Sequence, residues 1–319
     1  MAMERMEDLS LERLVAGCNT GLCWQLIADL DSEDVRSMLT QLTMERLRRK
    51  SFEISQTLDN TESSWSQTAY TYILYYLLGK QNRNAAKRLA KAVSYNILMR
   101  ENSALYKIEA LLLGGAGLLE IYNDGVVAKL QQEFQHLRAK YNIIPLEAEA
   151  WQLSGIRLNN HPVLRLAQLA ACIHENHLAM QNFVECHNNN DVRQLFSCRA
   201  SDYWVDILSR YSNESSIANK IGSTMSNILA INAIVPLMYA YSTYVDSQTI
   251  HDKSMDLLRK LSVEDNTYTR QWHYVKPIAT SAFDSQALIQ LSTEYCKRRL
   301  CHECPLAKRL LHRKGRISK

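Results

Sequence analysis

The sequence is short of the residues that interrupt helices. It has 10 glycines and 5 prolines in 319 residues, well under the combined share of about 12% in an average protein. No proline occurs before Pro145. Tight turns are therefore few, which excludes sandwiches, barrels and other folds made of many short strands. Long apolar runs are missing too. The two longest, near residues 69–78 and 228–241, fall short of the ~20 residues of a membrane span, and Asn232 and Pro236 interrupt the second. The first eleven residues, MAMERMEDLSL, alternate charged and apolar groups without the hydrophobic centre of an export signal. No Walker loop, dinucleotide fingerprint, nucleophile elbow or Ser-His-Asp order is present. Enzyme status has no positive support. No fixed-period repeat occurs, so a regular solenoid is not expected.

The composition is that of an ordinary globular chain, 46% hydrophobic and 22% charged, with a mass of 36.7 kDa. The expected fold class is all-α, an irregular multi-helix array. Eight cysteines without an export signal read as reduced thiols in a cytoplasmic protein. Pro145, Gly155 and Pro162 punctuate residues 141–162, the best internal boundary. It divides an N-terminal helical region, 1–145, from a C-terminal one, 146–319, unless the two form one continuous domain.

Apolar periodicity predicts helices over 32–56, 64–78, 82–99, 104–120, 126–140, 163–185, 191–196, 201–210, 223–241, 248–261 and 281–299. The second is aromatic nearly all round and reads as a core helix. In the third, Arg83, Lys87 and Lys91 recur every four residues with Arg88 beside them, a row able to follow a phosphate backbone. Gly114, Gly115 and Gly117 precede no Lys-Ser/Thr and follow no strand, so they predict a helix end with close helix packing rather than a phosphate loop.

Charge is placed unevenly. Residues 296–319 carry nine Lys/Arg (Lys297, Arg298, Arg299, Lys308, Arg309, Arg313, Lys314, Arg316, Lys319) against Glu303 alone, a net +8. The 295 residues before them carry 28 basic and 32 acidic groups, a net −4. A basic end of this kind attracts phosphates through counterion release; the competing reading is a solvated tail that keeps the protein dissolved.

That basic end also holds Cys296-x4-Cys301-x2-Cys304. Three thiols within nine residues have the spacing to share one zinc ion, with His312, His302 or Cys198 as a fourth ligand. The alternatives are ordinary thiols and an iron–sulfur cluster. The run CHECPL is similar to the iron–sulfur tail of helix-hairpin-helix DNA glycosylases, but no cysteine follows Cys304. His174-Glu175-x-His177 is one residue short of the zinc-protease spacing and reads as helix-surface histidines. Arg165, if buried, calls for an acidic neighbour such as Asp284, although Ser281-x-x-Asp284 has the pattern of a helix cap.

Four strings carry a family resemblance: IEALLLGGAGLLE (108–120), RLNNHPVLRLAQLA (157–170), KIGSTMSNILAINAIVPLMYAY (220–241) and DSQALIQLSTEYCKRRLCHEC (284–304). Through them residues 45–308 resemble the bacterial family known as domain of unknown function 2851. The resemblance implies a cytoplasmic bacterial protein that shares the cysteine tail. It also implies longer members with an additional, nuclease-like amino-terminal region that this chain is expected to lack, so no catalytic residue is carried over.

Two functions follow as expectations. One is a non-catalytic helical module that binds nucleic acid through Arg83, Lys87, Arg88 and Lys91 and through the basic C-terminal end. The other is a helical scaffold that docks a separate protein partner.

Overall fold

The computed structural model describes residues 9–17, 22–210, 217–272 and 278–317. Every regular element among them is helical, and the all-α expectation holds. In chain order the α-helices are α1 (Leu11–Gly17), α2 (Leu22–Leu26), α3 (Ser32–Asp59), α4 (Trp65–Leu77), α5 (Arg83–Ala92) and α6 (Tyr95–Arg100). Then follow α7 (Leu105–Gly115), α8 (Gly125–Tyr141), α9 (Pro162–Asn176), α10 (Met180–Val184), α11 (Asn189–Leu195) and α12 (Asp202–Ser209). The last are α13 (Ser223–Leu229), α14 (Val235–Tyr244), α15 (Gln248–Lys260), α16 (Thr267–Trp272), α17 (Ala282–Gln290) and α18 (Pro305–Ile317).

The chain forms two compact units. One comprises residues 1–53 and 255–319, the other residues 54–254. The cuts fall inside α3 and α15, whereas the sequence placed a boundary at 145/146. Residues 141–162 lie wholly within the second unit. In the first unit Leu14, Leu26, Met38, Leu42, Trp272, Leu288, Leu291, Leu306 and Leu310 build a core.

Local chemistry explains most helix ends. The Asp31 carboxylate accepts the Asp34 amide at 2.8 Å and starts α3. Ser64 does the same for α4 through Gln67 N, and Asp124 for α8 through Val126 N. The Gly114–Gly117 run ends α7 in a Schellman turn: Gly117, at φ +71°, donates to Gly114 O, and Leu118 donates to Leu113 O. A Cβ on Gly114 would stand 2.2 Å from the Phe134 ring, and one on Gly117 would stand 2.0 Å from Leu146 O. Close packing, as expected, accounts for these glycines.

The segment 82–99 departs from expectation, because one amphipathic stretch becomes two helices. Val93 is extended, and Ser94 caps α6 through the Ile97 amide. The Gln67 side chain closes the gap by donating to Ala90 O at 2.8 Å and accepting Tyr95 N at 2.6 Å. The stretch 163–185 also breaks, at His177 and Leu178, both at positive φ. By contrast, residues 223–244 form one continuous 22-residue helix through Pro236. The ladder widens over Ala230–Ile234, where Val235 N bonds Ala230 O five residues back, so the proline ring is tolerated just after it. This helix is long and apolar enough to cross a membrane, but 72% of its apolar window is buried inside the protein, as in a core helix.

Candidate nucleic-acid interface

α4 does not bury all its rings. Tyr70 lies in the core at 2% exposure, whereas Tyr72, Tyr75 and Tyr76 are half-buried on its open side. Tyr75 and Tyr76 meet edge to face with centroids 5.0 Å apart. The reason is in the sequence: seven α4 positions are buried, and the tyrosines at 72, 75 and 76 fall on the helical face that remains.

α5 lies against α4 and turns Ala85, Ala86, Leu89 and Ala90 inward. Its remaining face carries the predicted cations and no acidic residue. The Arg83 guanidinium sits 4.5 Å from the Tyr75 ring centre and 5.7 Å from that of Tyr76. Lys87 Nζ lies 5.1 Å from the Tyr75 centre. Arg88 and Lys91 are exposed. The fold thus layers basic groups on aromatic rings, which the spacing of Arg83, Lys87 and Lys91 alone did not reveal. The signal for it was available in the three tyrosines near the end of α4, read as core by their periodicity.

The basic C-terminal end is a helix. α18 places Leu306, Ala307 and Leu310 in the core of the first unit and leaves Lys308 and His312 exposed. Arg309 donates to Pro305 O and to the Ser37 hydroxyl. Arg313 is half-buried, and the side chain of Lys314 lies outside the described residues. Ahead of α18, Lys297 sits 4.6 Å from the Tyr268 ring centre and bonds its hydroxyl. Arg298 reaches Glu294 at 3.5 Å. Arg299, at φ +55°, is the left-handed residue of a Schellman turn in which Leu300 N bonds Tyr295 O and Arg299 N bonds Cys296 O.

The cysteines flank these turns. Cys296 is half-buried, Cys301 and Cys304 are buried, and Cys304 N bonds Cys301 O at 3.2 Å. Among the described residues no group of three or more His, Cys, Asp or Glu side chains is placed to hold a metal ion. Cys198 is engaged within the second unit, where its sulfur accepts Asn176 Nδ2 at 3.0 Å.

Two other sequence expectations resolve plainly. His174 and His177 share one partner: Asn102 Oδ1 lies 3.1 Å from His174 Nδ1, and Asn102 Nδ2 lies 3.0 Å from His177 Nδ1. Arg165 is buried, and among the described residues it pairs with no carboxylate. It donates to Gln168 Oε1 and Asn160 Oδ1, and burial lowers its pKa to about 10. Asp284 instead completes the capping box with Ser281.

The profile of a family described as protein of unknown function (DUF2851) matches residues 4–267. The chain belongs to this family. The matched stretch includes α4, α5 and their tyrosine–arginine surface and ends before the cysteine segment. No curated protein and no solved structure matches the chain.

Proposed function

We propose that this member of the family is a non-catalytic helical module that binds nucleic acid, with the α4–α5 surface as its contact face. The stacking of Arg83 and Lys87 on Tyr75, beside exposed Arg88 and Lys91, carries the reading. Proteins that hold single strands combine cations that follow the phosphates with aromatic faces for the bases. Duplex binding needs the cations alone. Three half-buried tyrosines next to four basic side chains therefore favour a single strand. Lys297 and Lys308 supply cationic charge in the other unit.

A titration of the full chain with labelled single-stranded and duplex oligonucleotides, across ~50–200 mM salt, tests this. The expected outcome is tighter binding of the single strand and a linear fall of log affinity with log salt. Arg83→Ala/Lys87→Ala should lower that slope by roughly 1.4, about 0.7 per lost phosphate contact. Tyr75→Ala should cost about 1–3 kcal/mol of binding with the slope unchanged. Lys297→Glu and Lys308→Glu measure the share of the C-terminal end. Absent or salt-insensitive binding would remove the proposal and leave a scaffold for a protein partner.

A structural zinc on Cys296, Cys301 and Cys304 is a separate proposal that rests on their sequence spacing alone, because the described residues do not bring three such ligands together. Elemental analysis decides it. Stoichiometric zinc that disappears in Cys301→Ser/Cys304→Ser supports it, and metal-free protein makes these thiols ordinary core residues.

A further inference from the structure

The nucleic-acid reading leaves one built feature of the second unit unused. A cavity of about 460 Å³ lies among α7, α8 and the start of α12, a size suited to a small molecule. Tyr106, Val126, Leu130, Tyr203 and Trp204 supply most of its wall, and Glu109 is the buried charged group in it. Glu109 is 4% exposed. Its Oε1 accepts the Ser201 hydroxyl at 2.6 Å and Trp204 Nε1 at 3.1 Å. Burial outweighs those two bonds and raises the carboxyl's pKa.

Two physical points define what the cavity would take. First, a buried carboxylate is costly unless a cation faces it. Among the described residues no Lys, Arg or His forms an ion pair with Glu109. Among the described residues, the other ionisable side chains in the wall, apart from the tyrosines, are Lys129 and Glu133, which carry opposite charges, so the Glu109 charge remains as the net. Second, the wall is aromatic and held in place. The Trp204 indole is fixed by its bond to Glu109 and meets Tyr203 and Tyr122 edge to face at 5.1 and 6.3 Å. Aromatic faces attract cations most strongly where water is excluded.

We propose that this cavity binds a small organic cation, a primary ammonium carried on a short aromatic body, with Glu109 as its counter-ion and Tyr106, Tyr203 and Trp204 packed around the body. The site is independent of the α4–α5 surface, and neither reading needs the other.

Calorimetric titration of the full chain at neutral pH with phenethylamine tests it, with 3-phenylpropionate as the anion of similar size and adenine as a neutral base. Saturable binding of the amine alone is expected. Glu109→Gln should weaken it by about tenfold or more, equivalent to at least ~1.4 kcal/mol. Tyr106→Ala removes a ring that is 49% exposed, so it should weaken amine binding without unfolding the chain. The proposal is overturned if the amine does not bind, if the anion or adenine binds as well as the amine, or if a folded Glu109→Gln variant keeps full affinity. Should Glu109→Gln fail to fold, unchanged amine affinity in Tyr106→Ala overturns it.

Discussion

Glu101 shows how one carboxylate can join three helices. It follows the last turn of α6 and accepts Lys107 of α7 at 3.3 Å, Lys140 of α8 at 2.6 Å and the Tyr141 hydroxyl at 2.5 Å. Burial by itself would raise its pKa, but those donors together outweigh burial and hold it at about 2. A depressed carboxylate stabilises the fold above the unfolded value near 4.3 and loses that contribution as pH falls toward the folded value. Stability should therefore drop by roughly 1–2 kcal/mol between about pH 5 and pH 2, discounted because Lys140 is half exposed. Denaturant melts across that window check this, and Glu101→Gln should flatten the profile there. None of this was legible in the sequence, because Glu101 and Lys140 lie 39 residues apart and only the folded chain places them together.

At the scale of elements, the break between α5 and α6 decides where the candidate interface ends. A continuous helix over 82–99 would have satisfied its own backbone. The observed break leaves Ala90 O and Tyr95 N to the Gln67 side chain. Gln67→Ala should cost about 1–3 kcal/mol, because both groups are left without that partner in a part-buried setting. Urea midpoints compared with wild type measure it, and an unchanged midpoint would mean that water replaces the amide at no loss. The helix start at Ser281 was readable in advance, because Ser281 and Asp284 supply their own capping box. The break at Val93 was not, because its compensation comes from a different helix.

For the molecule as a whole, the C-terminal basic segment has two roles that a simple deletion would confuse. Lys308, Arg309 and Arg313 lie on a helix whose other face is part of the first unit's core, with Leu306 at 1% and Leu310 at 0% exposure. A chain ending at Cys304 should lose at least ~4 kcal/mol of stability in that unit, since each buried leucine is worth about 2–5 kcal/mol. Equilibrium unfolding of the truncated chain tests this, and a melt like the parent's would mean that α18 adds no packing. Charge reversals at Lys297 and Lys308 keep the helix and test binding cleanly.

The sequence by itself determined the fold class, the positions of most helices, the packing role of the glycine run and the row of cations on α5. Each follows from periodicity, capping chemistry or composition, which act over a few residues. The tertiary structure alone decided that Tyr75 and Tyr76 stay partly open beneath Arg83, with Lys87 over Tyr75, and that among the described residues Arg165 donates to amide oxygens rather than to a carboxylate. It also decided that Glu109 lies in the wall of an aromatic cavity. Those outcomes depend on which helix covers which face, and that is set by burial among residues far apart in the chain, beyond the reach of any local pattern.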